Sequence, residues 1–249
     1  MGDVVRQSDV AHLLVVPARR RRALGARGAL DPSFVSEEPM DKVDLRKEHR
    51  ELYAPPREFS RIVVPPLAYL QIDGEGDPNT APAYTEAVEA LFSLSYAVKF
   101  ASKKDLGRDY VVGPLEGLWT AEDPAAFVRR DKDAWSWTLM VLQPDWLTDA
   151  FVADVAEATR RKKALPALDR ARFATYDEGD AVQVLHVGSY DDEAPTLARL
   201  HDEYLPEHGL TFNGPHHEIY LSDVRRTAPE KLRTVLRQPV RALDGAGPE

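Results

Sequence analysis

The chain contains no cysteine, which excludes disulfides, thiolate metal sites and thiol nucleophiles together. That lack fits a reducing cytoplasm, and a cytoplasmic location is the expectation. No apolar run approaches the ~20 residues of a membrane-spanning helix. The short run Leu13-Leu14-Val15-Val16 is followed, not preceded, by Arg19-Arg20-Arg21-Arg22, the reverse of a secretory signal. A membrane partner is therefore not expected. Positive charge is also scarce: 32 Lys and Arg stand against 41 Asp and Glu, a net charge of −9. Phosphate neutralisation needs the opposite balance, so no nucleic-acid partner is expected, and the four arginines read as a solvated tail. GxSxG, P-loop, dinucleotide and HExxH patterns are absent from the chain. No cofactor and no metal are expected.

What is present is the mix of a globular protein, 43% hydrophobic and 29% charged, long enough at 249 residues to bury a core without staples. Met40 opens a charged stretch that reads as a natural start. Residues 1–39 are expected to form an extension outside the fold, and residues 40–249 one domain. Within it, residues 40–60 read as a short helix or arm. Residues 62–72 are β-prone around Pro65-Pro66, with one strand in the later half. The turn residues 73–79 follow, and Asn79 or Thr80 is placed to cap the next helix. Tyr84, Val88, Leu91, Leu94 and Val98 recur at helical spacing. Strands are predicted at 110–119 and 135–143, and a helix from Thr148 or Asp149 to about Lys162.

The second half repeats this plan. Strands at 173–176 and 182–187 lead to a helix over 191–207, stopped at Gly209, then to strands at 217–222 and 232–242. Pseudo-repeats of about 60–165 and 170–243 emerge, each a strand, a helix and a strand pair whose first member carries a glutamate: Glu116 in one, Glu218 in the other. The predicted fold class is α+β: tandem strand–helix–strand–strand units with antiparallel sheets around a central cleft. Helices cover one face of each sheet, and the other faces meet at the cleft.

Alternation along His216-His217-Glu218-Ile219-Tyr220-Leu221-Ser222 puts Ile219 and Leu221 with His217 toward the helices. Glu218 and Tyr220 then share the other face with His216. A carboxylate in an apolar strand is costly to bury without a partner, so Glu218 faces solvent at the cleft or serves a ligand. Glu116, its equivalent in the first half, either lines the cleft or faces away from it. Trp119 falls on the face opposite Glu116 unless Gly117 hosts a bulge. Two carboxylates at one cleft can divide acid and base roles. Tyr69, Tyr110, Trp119, Trp135, Trp137 and Tyr220 all fall in predicted strands or at their ends, where rings beside a carboxylate suit flat or cationic ligands, although core packing is the simpler fate of any one of them. His186 is a polar strand residue facing either use. His216 and Glu218 alone lack the further ligands a metal needs.

Several segments together resemble the GyrI-like small-molecule-binding family, named for the gyrase inhibitor, over about residues 43–243. They are Tyr69-Leu70-Gln71-Ile72-Asp73-Gly74-Glu75-Gly76-Asp77-Pro78-Asn79, Pro114-Leu115-Glu116-Gly117-Leu118-Trp119, Gln143-Pro144-Asp145, Leu185-His186-Val187-Gly188-Ser189-Tyr190-Asp191-Asp192-Glu193 and Glu218-Ile219-Tyr220-Leu221-Ser222-Asp223. The resemblance implies the same duplicated fold and a pocket for an amphipathic or cationic aromatic small molecule. It is strongest to the stand-alone branch, since residues 1–60 lack the periodicity of a helix-turn-helix module. By that analogy some members hydrolyse the strained ring of cyclopropanoid compounds, a detoxification. Glu218 and Tyr110 would then be catalytic, Glu218 as general base. Glu116, Trp119, Trp137, Tyr69, Tyr220 and His186 would contact the ligand. Thr120 stands where some relatives carry a second aromatic. Two alternatives remain open at this point: a non-catalytic protein that sequesters drugs, and a gyrase-inhibitor-like interaction module.

Overall fold

A computed structural model describes residues 42–123, 129 and 131–243. The expected extension at residues 1–39 lies outside these. Two short helices come first, α1 (Leu45–Glu48) and α2 (Arg50–Tyr53). Then β1 (Ser60–Val64) and β2 (Leu67–Glu75) flank Pro65-Pro66, so the single expected strand is two, separated where two residues lack the N–H a ladder needs. The long helix α3 (Pro82–Ala101) follows. Neither Asn79 nor Thr80 caps it; Ala81 is the N-cap, without a side-chain bond. Pro82 at the first turn removes one of the orphan donors a cap would serve. The Asp77 side chain instead closes the preceding turn on the Asn79 N–H at 2.9 Å.

The rest of the first half is β3 (Glu116–Ala121), β4 (Trp135–Leu142) and α4 (Asp149–Lys162). The α4 boundaries match expectation, and the Thr148 hydroxyl caps it by accepting from the Phe151 N–H at 3.2 Å. The strand expected at 110–119 is mostly not one. Tyr110 makes only an isolated bridge with Val43, and regular pairing waits until Glu116, past Gly113-Pro114.

In the second half come β5 (Arg172–Tyr176), β6 (Gly179–Val187), α5 (Ala194–Ala198), α6 (Leu205–Glu207), β7 (Leu210–Phe212), β8 (His216–Tyr220) and β9 (Arg233–Ala242). The helix expected over 191–207 is broken up: a 3-10 turn at Tyr190–Asp192 precedes α5, and a π-helical stretch, Arg199–Tyr204, joins α5 to α6. Gly209 ends it with φ 62°, the left-handed stop that glycine takes without strain.

Among the described residues nine strands form one antiparallel sheet in the order β1-β6-β9-β8-β3-β4-β2-β5, with β7 also on β9. The repeat is visible in this order. Each half contributes three neighbouring strands, β2, β4 and β3 or β6, β9 and β8, and the halves meet where β3 runs antiparallel to β8. The leading strand of each half crosses to the other, β1 onto β6 and β5 onto β2. The sheet curls into a half-barrel that forms a cleft, as the α+β class required.

Both faces of the central strands are buried. On one, Leu70, Ile72, Trp119, Trp137, Leu139 and Val141 pack against α3 and α4. On the other, Tyr69, Leu118, Met140, Leu142 and Ile219 pack under Leu45, Leu52 and Tyr53 of α1 and α2. This corrects one expectation: the cleft is not on the helix-free face. It opens on the α3 face, and the opposite face is closed by the N-terminal arm. Ile219 and His217 do face helices, but those are α1 and α2.

Candidate functional site

The burial of β8 alternates, His217 and Ile219 being fully buried and His216, Glu218 and Tyr220 partly open. The open side lines a cavity of about 430 Å³ at the junction of the two halves. From α3 come Tyr84, Val88, Phe92 and Tyr96; from the strands, Trp119, Trp135, Glu218 and Tyr220; from the turn before α5, Tyr190, Asp191 and Glu193. The volume suits a drug-sized ligand.

Register explains why these side chains meet. Gly117 lies opposite Glu218, and Trp119 opposite His216, so β3 presents Trp119 and a glycine to the face that carries Glu218. The Trp119 indole N–H donates to the Tyr220 hydroxyl at 3.1 Å, and that hydroxyl donates to Glu218 Oε2 at 2.8 Å. A Cβ on residue 117 would stand 3.0 Å from Trp119 Nε1 and 3.3 Å from the Tyr220 hydroxyl, so glycine keeps room for this chain. Tyr190 meets the Tyr220 ring edge-on at 5.6 Å and Trp135 meets Trp119 likewise at 5.7 Å. Tyr84 lies nearly parallel to Trp119 at 6.3 Å.

Glu218 sits among these rings with its side chain 17% exposed. Burial pushes its pKa up to about 7, against the Tyr220 hydrogen bond and the positive charge of His217, both of which favour the carboxylate. His216 Nε2 is 3.7 Å from Glu218 Oε1, too far for a hydrogen bond, and burial lowers the His216 pKa to about 3, so that ring is neutral. Glu193 lines the same cavity. It is 4% exposed, its Oε1 has no hydrogen-bond partner, and burial, reinforced by the Glu218 charge, raises its pKa to about 10.

Of the residues singled out from the sequence, the structure brings Glu218, Trp119, Trp135 and Tyr220 to this cavity. The others lie elsewhere. Trp137 shares the Trp119 face, but its indole lies over Gly74, where any Cβ would overlap the ring, and so sinks into the core beside Tyr84. Tyr110 is fully buried, with its hydroxyl donating to Gln143 Oε1 at 3.0 Å. Tyr69 and Glu116 are buried on the opposite face. The Gly117 bulge that would have turned β3 does not form, so Glu116 and Trp119 stay on opposite sides. His186 borders a separate depression with Arg57, Phe59 and Arg199, and its Nε2 contacts the Ser189 carbonyl at 3.2 Å.

Glu116 belongs to a buried ionic network. His217 holds Glu116 Oε2 through Nε2 and Glu178 Oε1 through Nδ1, both at 3.0 Å. With a carboxylate on each nitrogen the ring is an imidazolium, its pKa raised to about 9 against a desolvation that opposes the charge. Arg237 donates to Glu178 Oε2 at 3.0 Å and to the Leu52 carbonyl at 2.7 Å, while the Tyr53 hydroxyl donates to Glu116 Oε1 at 2.6 Å. Two carboxylates and two cations balance, and they bolt α2 to the back of β3 and β8.

Tyr84, Tyr190 and Glu193 line the site although the sequence did not single them out. The last two were within reach, because Ser189-Tyr190-Asp191-Asp192-Glu193 is part of the motif that carried the resemblance. Among the described residues no group of three or more His, Cys, Asp or Glu side chains is placed to hold a metal, and no helix is long and apolar enough to cross a membrane.

The comparisons agree with this architecture. The model of the GyrI-like small molecule binding domain matches residues 58–241. An uncharacterized conserved protein from Listeria innocua is 38% identical, with a TM-score of 0.75 over 80% of this chain and 100% of its own. Two structures described as hydrolases from Listeria innocua are each 36% identical; their TM-scores are 0.71 and 0.73, over 80% and 81% of this chain and 100% of theirs. No curated protein matches the chain. The chain belongs to the GyrI-like small-molecule-binding family.

Proposed function

From that membership we propose that the cavity between α3 and β8 takes an amphipathic aromatic small molecule and hydrolyses it, with Glu218 as general base. The observation that carries this reading is the Glu218 carboxylate itself. It is partly open to an aromatic cavity, gripped by Tyr220, and poised near neutrality where it can both exist as a base and accept a proton. Two similar structures described as hydrolases support the reaction class. The substrate class is a strained cyclopropane conjugated to a carbonyl. Such a ring is already electrophilic and needs only a positioned water, a base and relief for the oxyanion that develops. Tyr84, Trp119, Trp135 and Tyr190 flank the flat body. Tyr110 has no contact role here, because its hydroxyl is engaged by Gln143.

A second reading is favoured by the same rings. Aromatic faces around a carboxylate hold a lipophilic cation without chemistry. Incubation with a spirocyclopropyl cyclohexadienone, followed by mass spectrometry, separates the two. A product one water heavier, formed by wild type and lost in Glu218→Gln, supports hydrolysis. Binding without that product in wild type supports sequestration.

A further inference from the structure

We propose that Glu193 is the second carboxyl of this site, a neutral acid that shares one proton with Glu218 and delivers it to the ligand oxygen on which charge develops. The acid step rests on the hydrolytic reading above; the shared proton does not. Three observations on the molecule lead here. Glu193 lines the Glu218 cavity yet is almost entirely buried. Its Oε1 has no hydrogen-bond partner. No Lys, Arg or His forms an ion pair with it among the described residues, whereas the other buried carboxylates, Asp109, Glu116 and Glu178, each hold one. A carboxylate in that position would lie in a low-dielectric wall with no cation beside it, a cost that one hydroxyl does not offset, so the group is the neutral acid. It is a donor in search of an acceptor, and a ligand oxygen in the cavity is one.

The surroundings fix which carboxyl holds the proton. Glu193 is faced by Glu218 on β8 and Asp191 in the turn before α5, both of which oppose its charged form, and by Thr234 on β9, whose hydroxyl favours that form but brings no positive charge. Glu218 is faced by Tyr220 on its own strand, by His217 through that strand and by Lys132 ahead of β4, all of which favour its charged form. Tyr84 and Tyr190 complete its surroundings from α3 and the turn before α5. Glu218 is therefore the member that ionises first. The arrangement does what the sequence suggested for Glu116 and Glu218, with a different partner.

The step balances. Water forms a C–O bond to the electrophilic ring carbon and gives its proton to the Glu218 carboxylate. The ring C–C bond breaks, and its electron pair flows through the conjugated system to the carbonyl oxygen, which takes the Glu193 proton. Transfer of the new proton from Glu218 to Glu193 restores the starting pair, and the net change is addition of one water.

The test has two arms. Infrared difference titration of the ligand-free protein follows the C=O stretch of neutral carboxyls. The proposal expects a neutral carboxyl that persists above pH about 7, where exposed carboxyls are long ionised, and that disappears in Glu193→Gln. A band unchanged by that substitution overturns the pair. Glutamine mimics the neutral acid in shape and hydrogen bonding, so the variant should fold. In the second arm, with the cyclohexadienone substrate, Glu193→Gln is expected to lower kcat roughly 10²-fold with KM little changed and to abolish the alkaline limb of the pH profile. Wild-type turnover with an identical profile in the variant overturns the acid role while leaving Glu218 as base. No wild-type turnover sinks the hydrolytic reading and the acid step with it, and the infrared arm still decides the shared proton.

Discussion

Tyr220 donates to Glu218 Oε2 at 2.8 Å across a single face of β8, two residues away in the chain. The Trp119 indole N–H at 3.1 Å on the same hydroxyl fixes its direction, so the tyrosine proton is aimed at the carboxylate. The bond favours ionised Glu218, and it ties the base to the aromatic wall that would hold a ligand. Removing it should leave the cavity in place and change the acidity of one group.

Tyr220→Phe is therefore expected to raise the Glu218 pKa. The acidic limb of the pH–activity profile should move to higher pH, with a loss of about 1–3 kcal/mol of stabilisation of the charged form. A profile that does not move would mean that Glu218 is not the titrating base.

Gly117→Ala tests the room that the Trp119–Tyr220–Glu218 chain requires. The added methyl meets Trp119 Nε1 and the Tyr220 hydroxyl at hydrogen-bond-like distances. Expected is about 1–3 kcal/mol of destabilisation from overpacking, together with weakened ligand binding read by calorimetry. Thr120→Ala, exposed and outside the cavity, is the control and should change neither.

The network behind the site is structural. Glu116→Gln, Glu178→Gln or His217→Gln each leaves an uncompensated buried charge and is expected to cost about 3–5 kcal/mol in chemical denaturation. For His217 the folded pKa of about 9 lies above the usual 6.5, so its contribution is full below pH 6.5 and lost as pH rises through 9. For Glu178 the folded value of about 2 lies below the usual 4.5, so its contribution is full above pH 4.5 and lost as pH falls through 2. Wild-type stability should therefore peak between these limits.

Glu193 makes the opposite forecast for a substitution. Its folded pKa, about 10, is far above the usual 4.5, so holding it in place costs stability increasingly as pH rises from 4.5 toward 10. Glu193→Gln should raise the unfolding midpoint at neutral pH and raise it more at alkaline pH. A lower midpoint throughout would mean that Glu193 is paired and ionised in the fold.

The strand, helix, strand-pair repeat was legible because helical spacing in α3 and alternation in β8 are strong periodic signals. Alternation also separated Glu218 and Tyr220 from His217 and Ile219 correctly, as β8 is regular throughout. What sequence could not decide was a matter of single residues acting at a distance. Whether Gly117 bulged determined the side taken by Glu116, and only the β3–β8 register shows that it does not. Trp137 has the parity of a cavity residue, but Gly74 on the neighbouring strand lets its ring lie down into the core. Which face carried the cleft depended on α1 and α2, four residues each, too short for any period to reveal that they seal the opposite side. Tyr190 and Glu193 sit at a broken helix start, where no periodicity marks a direction.

The central claim is that Glu218 is the carboxylate that meets the ligand. Its most direct test is a structure of the protein soaked with a spirocyclopropyl cyclohexadienone or its hydrated product. The account predicts density between Tyr84 and Trp119, with Glu218 within hydrogen-bond reach of the ring carbon's hydroxyl or attacking water. Ligand bound on the Glu116 and His217 face, or in the depression beside His186, would contradict it.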